Sequence, residues 1–384
     1  MRVSSRGDVD PFIVMNILKM AADAEASGRH VIHMEIGQPG TPAPKLARER
    51  VAAALESEPL GYTVALGLPA LRKRIAALYD EWYGVDLDPA RVIVTPGSSG
   101  GFLLSFTALF DTGDRVGIAN PGYPAYRQIL KAQGLETVLI RTEMQDGYQL
   151  RPDQITGAGL NGVLVASPAN PTGTMLNRDQ LTGLIDAARQ SDTAFISDEI
   201  YHGLHYGDRG VSALEIADDA FVINSFSKYF SMTGWRIGWM VVPSAQISRI
   251  EKLAQHMFIC APHVSQVAAL GALEASGELS ENLSIYSNNR QIVLDGLAAA
   301  GITRFAPPDG GFYVYADIAH LGEDSLTLAK TLLDEEGVAV TPGYDFDAER
   351  GGHMWRLSYA GGSDDIREGM ERIARFAARR GGLD

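Results

Sequence analysis

Short apolar runs alternate along this chain with amphipathic stretches, and the alternation predicts most of its architecture. RVIVTPG (91–97), RVGIANPG (115–122), ETVLIRT (136–142), NGVLVASP (161–168), TAFISDE (193–199), FVINSFS (221–227) and GWMVVP (238–243) each read as a buried strand. Between most of them lie helical segments, such as Arg178 to Arg189 with Leu181, Leu184 and Ile185 on one face. Strands that alternate with helices in this way predict an α/β fold, its sheet mostly parallel and covered by helices on both faces. After Pro243 the pattern changes to two long helical stretches ending near Ala300. The strand-like pieces GGFYVYADI, GVAVTPG and MWRLSYA follow, and then a terminal helix from Asp364. The change predicts a large domain over 44–285 and a smaller α+β domain assembled from both chain ends, 1–43 and 286–384. Near the N-terminus, Asp10 and Pro11 read as a helix N-cap and first helical residue. Phe12, Met15, Leu18 and Met20 form the apolar side of that helix, and Gly28 is its stop.

The 384 residues are 46% hydrophobic and 21% charged, which fits a folded chain with a sizeable core rather than a disordered or fibrous one. Lys and Arg number 33 against 47 Asp and Glu, a formal net charge of −14. Nucleic acid and anionic membrane surfaces are therefore disfavoured as partners. Taken alone, the same charge speaks against an anionic small molecule. No apolar run approaches the roughly 20 residues of a membrane span, and the N-terminal segment lacks a signal-peptide pattern. Cys260 is the single cysteine, which excludes an intrachain disulfide and points to a reducing cytoplasm.

Polar clusters follow several of the strands, where open α/β sheets bind their ligands. In TPGSSGG, Gly97, Ser98, Ser99, Gly100 and Gly101 open an apolar helix. Free N–H groups, hydroxyls and the positive helix end make either a phosphate cradle or an ordinary capped turn. The spacing is neither that of a dinucleotide fingerprint nor that of a P-loop. In SPANPTG, Asn170 offers an amide to a ligand oxygen, or belongs to a plain Asn-Pro turn. In SDEIYHG, Asp198 and Glu199 end a buried strand. A carboxylate there needs a cationic partner, unless Asp198 caps the next helix. The sharpest cluster is NSFSKYFSMTGWRIGW, in which Lys228 follows an apolar strand with Ser225 and Ser227 beside it and Arg236 eight positions on. An ordinary surface lysine would stay charged. One in a partly desolvated site becomes a neutral amine able to form a Schiff base. His202 and His205 lack further ligands in a zinc pattern and read as polar residues near the site or on its rim. Cys260 reads as a small core or loop residue.

The ordered set GQP, GSSGG, NPGY, SPANPTG, SDEIY, SFSKYFSMTGWRIGW and RLSYA resembles the class I/II aminotransferases, pyridoxal-phosphate enzymes of fold type I, over essentially the whole chain. The resemblance implies an amino-acid aminotransferase that passes an α-amino group to a 2-oxo acid by a ping-pong mechanism. Lys228 then corresponds to the lysine that forms a Schiff base with pyridoxal 5′-phosphate and shuttles the proton. Asp198 corresponds to the carboxylate paired with the pyridine nitrogen. Asn170 and Tyr201 correspond to donors to the phenolic oxygen, and Tyr123 to the aromatic stacked on the ring. Ser98, Ser99, Ser225 and Arg236 correspond to phosphate ligands. Arg356 corresponds to the fork on the substrate α-carboxylate, with Gly37 allowing close backbone approach to the same group. Tyr62 corresponds to a tyrosine that reaches across a homodimer interface to the partner's phosphate, so that two active sites are shared. The same scaffold also supports β- or γ-elimination, as in C–S lyases, but SMTGWRIGW with RLSYA leans toward transamination. The phosphate loop carries no additional Lys or Arg to grip a second carboxylate, which favours neutral or aromatic amino donors over aspartate.

Overall fold

All seven apolar segments form strands of one sheet in the computed structural model, which describes residues 2–380. Across the sheet the order is Val92–Thr95, Gly238–Val241, Phe221–Ser225, Ala194–Asp198, Gly162–Ala166, Arg115–Asn120 and Glu136–Arg141. Gly238–Val241 alone among them runs antiparallel to its neighbours. Side chains alternate between two cores with the period of two that a strand dictates. Val92, Val94, Val163, Val165, Val222 and Val241 enter one core, where Pro69–Tyr83, Arg178–Gln190 and His263–Ala272 pack. Ile93, Leu164, Ile223 and Met240 enter the other, beneath Gly97–Leu109, Pro124–Gln133 and Ile247–Met257. Coverage of both faces explains why these strands read as unbroken apolar runs.

Three expectations need correction. ETVLIRT is a strand but not a buried one: it is the sheet edge, with Leu139 47% exposed, Ile140 the one buried residue of Glu136–Arg141 and Val138 partly buried against the same core. The stretch after Pro243 holds three helices rather than two, Ile247–Met257, His263–Ala272 and Ser276–Ala299. The first break falls where Ile259 adopts a φ of +65° and Pro262 lacks the N–H needed to continue a ladder. Asp10 does not cap the first helix, which spans Ile13–Ala26 and has Phe12 at its N-cap. Asp10 instead exchanges hydrogen bonds with Gln128 at 3.0 and 3.1 Å. The capping carboxylate comes from Asp345, which accepts from the backbone N–H of Ile13 and of Val14, both at 2.8 Å.

A further core joins Ile17, Ala21, Ile32 and Met34 to Tyr286, Val314, Trp355, Leu357 and Phe376. Its four-stranded antiparallel sheet runs Thr341–Pro342, Met354–Ser358, Tyr313–Asp317, Arg304–Phe305. GVAVTPG is split: Val338–Ala339 pairs in parallel with Ile32–His33, and Thr341–Pro342 turns to Met354–Ser358. Within the helix Ser276–Ala299, Leu279 packs in the first core, whereas Tyr286, Val293 and Leu297 pack in this one. No helix among the described residues is long and apolar enough to cross a membrane.

Candidate active site

Parallel strands deliver their C-terminal ends to one edge of the sheet, and the polar clusters converge there. Ala194–Asp198 ends in Asp198, Gly162–Ala166 runs into the turn bearing Asn170, and Phe221–Ser225 runs on to Lys228. Arg236 reaches the same edge for the opposite reason. It precedes the antiparallel strand, whose first residue, Gly238, lies in register with the last residues of its neighbours, Thr95 and Ser225. Between the strand ends and the smaller sheet lies a cavity of about 350 Å³. Gly37, Ser98, Ser99, Tyr123 and Asn170 line it, together with Asp198, Tyr201, Lys228, Arg236 and Arg356. Two of the residues that the resemblance assigns to the site are not in its wall. Ser225 is buried behind it, its hydroxyl donating at 2.8 Å to Ser227, which does line the cavity. Tyr62 stands elsewhere on the surface, 83% exposed.

Electrostatics make the cavity unusual. Asp198 is buried; Tyr126 donates its hydroxyl to one carboxylate oxygen, and the Ile200 N–H donates to the other at 3.1 Å. Burial pushes the Asp198 carboxyl up to about 6, with these bonds and the Lys228 charge opposing. The Lys228 amine donates to the Gly37 carbonyl at 2.6 Å. Burial, and then the Arg356 and Arg236 charges, push it down to about 8. Arg356 lies between the rings of Tyr313 and Phe346, 4.5 and 4.9 Å from their centroids. It donates to the Glu35 carbonyl, to Thr341 and to Asn170, while its Nε has no partner among the described residues. At the phosphate-cradle end, Gly97 holds a φ of +69°, and a Cβ there would collide with the Arg236 guanidinium. Only glycine lets the arginine lie so close to the first turn of the helix, where backbone N–H groups lack intrahelical partners. Gly37 is equally constrained, because a Cβ would occupy the space of the Tyr313 hydroxyl.

These features fit pyridoxal phosphate. Helix N–H groups, Ser98, Ser99 and Arg236 form a donor set for a phosphate. A buried carboxylate with no salt-bridge partner among the described residues suits a protonated ring nitrogen, and a half-buried amine of lowered basicity suits carbonyl chemistry.

A family model described as aminotransferase class I and II matches residues 29–373. The chain belongs to this family. It is 46% identical over 378 residues to a valine–pyruvate aminotransferase of Mycobacterium tuberculosis, covering 97% of each chain. A crystal structure of an aminotransferase from the same organism superposes with a TM-score of 0.96 at 45% identity, covering 99% of this chain and all of that one. An aspartate aminotransferase of Thermus thermophilus, solved with maleate, superposes at 0.91 with 30% identity, over 98% of this chain and 100% of that chain. This aminotransferase therefore transfers an amino group to a 2-oxo acid, and the eliminating enzymes of the same fold are not favoured.

Several residues in the wall escape a reading of motifs. Tyr126 lies three positions beyond Tyr123 at the start of the helix Pro124–Gln133, a spacing that places both on one face. Tyr313, whose hydroxyl is 3.0 Å from that of Tyr201, sits on a strand with no local signature. Phe346 and Asp345 come from an irregular loop. His202 is not on the rim: it is buried behind the SPANPTG turn, between the Tyr83 hydroxyl at 2.6 Å and the Ser167 carbonyl at 2.9 Å. Burial pushes its imidazole down to about 4. Cys260 is half-buried, with the Thr63 N–H 3.5 Å from its sulfur.

Proposed function

We propose that this aminotransferase takes its amino group from neutral, apolar amino acids and delivers it to a small monocarboxylic 2-oxo acid such as pyruvate. The cavity wall carries the assignment. Beyond the cofactor-type residues it is mostly apolar, with Phe12, Val14, Met15, Ile36, Phe102 and Phe346 beside the polar Gln38, Thr233 and Asp345, and among the described residues it has no cation other than Lys228, Arg236 and Arg356. With Arg236 on phosphate and Arg356 on the α-carboxylate, none remains for a second carboxylate. The relative named for valine and pyruvate supports the same substrate class. A stopped-flow half-reaction screen across the common amino acids tests it, with faster conversion expected for valine or alanine than for aspartate or glutamate.

In this reading Ser98, Ser99 and Arg236 hold the cofactor phosphate, with Ser225 supporting through Ser227. Tyr123 stacks on the ring, and Asn170 and Tyr201 hold the phenolic oxygen. Pyridoxal phosphate, when bound, supplies the aldehyde carbon and an electron sink for α-deprotonation. Arg356 orients the substrate by its α-carboxylate, Lys228 carries the proton from the α-carbon, and Asp198 keeps a negative charge at the ring nitrogen. Arg356→Ala should raise KM for amino and oxo acids alike, by roughly 10- to 150-fold, the equivalent of about 1.5–3 kcal/mol for a charge-assisted contact. Unchanged KM values would remove Arg356 from that role.

We also infer two domains, 44–285 and the joined chain ends 1–43 and 286–384, a division supported by the change of core within the helix Ser276–Ala299. The acting unit is a homodimer in a reducing cytoplasm, with Tyr62 completing the partner's phosphate site. The exposure of Tyr62 and Val64, with Thr63 between them meeting Cys260 next to exposed Ile259, supports a covered face there. Tyr62→Phe should speed loss of cofactor on dialysis while the dimer persists in size-exclusion chromatography. Equal retention would count against a shared site.

A further inference from the structure

We propose that Asp345 is a specificity-determining residue that keeps substrates with a second carboxylate out of the side-chain end of the cavity. The proposal deepens the apolar-donor assignment above and rests on it. Asp345 is 2% exposed and lines the cavity next to Phe346, the ring that covers the Arg356 guanidinium. A substrate anchored at Arg356 and reacting at Lys228 meets with its side chain a wall dominated by Phe12, Val14, Met15, Ile36 and Phe346, in which Gln38, Thr233 and Asp345 are the polar residues without a cofactor-type role. That wall begins the helix Ile13–Ala26, and the free N–H groups of its first turn would be the natural grip for a distal carboxylate. The first two N–H groups of the helix are already taken, because Asp345 accepts from Ile13 with one oxygen and from Val14 with the other. An entering carboxylate would lose its water among apolar side chains and face a like charge. The same two bonds leave Asp345 poorly placed to capture a cationic side chain.

The loop is fixed from behind. Gly122 donates its N–H to the Phe346 carbonyl at 3.1 Å. Arg350 bonds Asp347 at 2.6 Å and the Asn120 carbonyl at 2.7 Å, tying the loop to a strand end of the large sheet. Asp345 therefore cannot swing away from an incoming anion without breaking these ties as well as the helix cap.

The test compares the wild-type holoenzyme with Asp345→Asn and Asp345→Ser, which remove the charge but keep a side-chain oxygen for the helix N–H groups. Second-order rate constants are measured for half-reactions with valine, glutamate, pyruvate and 2-oxoglutarate. The expected result is a rise of about tenfold or more in the glutamate-to-valine and 2-oxoglutarate-to-pyruvate ratios in each variant that folds. Unchanged ratios overturn the proposal. An equal fall for all four substrates overturns it too, by reducing Asp345 to a helix cap. In a parallel half-reaction with ornithine, a wild-type preference that vanishes with the charge overturns it as well, since it would mean cation recognition. If the wild type consumes glutamate faster than valine, the apolar-donor assignment fails, while the shift in ratio on removing the charge still decides the part played by Asp345.

Discussion

Lys228→Ala should reduce transamination by at least about 10⁴-fold while leaving a folded protein. Two losses combine, the covalent hold on the cofactor and the base that moves the α-proton, and base catalysis alone contributes roughly 10²–10⁴. Lys228→Arg should be no better, although it keeps the positive charge, because a guanidinium does not release its proton near neutral pH. The fold should tolerate both changes, since the amine makes one protein hydrogen bond, to the Gly37 carbonyl, and its charge is destabilised by burial. Borohydride reduction followed by peptide mass spectrometry should find the cofactor fixed to Lys228 in the wild type and to no lysine in Lys228→Ala. Activity within 100-fold of wild type in either variant would remove Lys228 from the mechanism.

The pH dependence of cofactor capture follows from the same amine. With its pKa lowered to about 8, roughly a tenth of the apoprotein carries a neutral Lys228 at pH 7. An ordinary lysine would be neutral in only about one molecule in several thousand. The rate of cofactor capture by apoprotein should therefore climb about tenfold per pH unit up to about 8 and then level. A rate still climbing steeply at pH 9–10 would show that burial and the neighbouring arginines do not depress the amine.

How legible this chemistry is in the sequence depends on how local each constraint is. The seven strands are legible because burial on both faces forces unbroken apolar runs, and strand ends in such a sheet concentrate the clusters around Ser98, Asn170, Asp198 and Lys228. Glu136–Arg141 misleads because an edge strand with one covered face can carry the same apolar letters. Asp345 is invisible to a local search, since the N–H groups it caps lie more than 330 positions away in the chain. Tyr313 and Phe346 share that problem: what matters about them is the guanidinium they enclose, and only the folded smaller sheet brings Arg356 between them. The net charge misleads differently. A total of −14 describes the surface, whereas the cavity gathers Lys228, Arg236 and Arg356 against Asp198 and Asp345.

Asp198→Asn should separate function from stability in opposite directions. In the proposed site the carboxylate would hold a proton on the ring nitrogen of bound pyridoxal phosphate. Its loss should lower kcat by about 10²–10³, the range for removing one preorganised electrostatic contact at a reacting centre. Without cofactor the same carboxylate is a liability. Its pKa is raised from 3.8 to about 6, so the folded apoprotein binds more protons than the unfolded chain between those values. Apoprotein stability contributed by this group therefore declines as pH rises from about 4 to 6, and the deficit persists at pH 7. The raised pKa already includes the opposing bond from Tyr126, so Asn at this position removes the deficit for a gain on the order of 1–3 kcal/mol. Thermal unfolding at pH 7 should show apo Asp198→Asn melting above the wild-type apoprotein. With pyridoxal phosphate in excess the order should reverse, because the wild type alone pairs a full charge with the ring. Below about pH 6, protons compete with the cofactor for the wild-type carboxylate, so its cofactor affinity should weaken there more steeply than that of Asp198→Asn, which keeps only the dependence set by Lys228. A variant with unchanged kcat, or a wild-type affinity indifferent to pH between 5 and 7, would sink the pairing of Asp198 with the ring nitrogen.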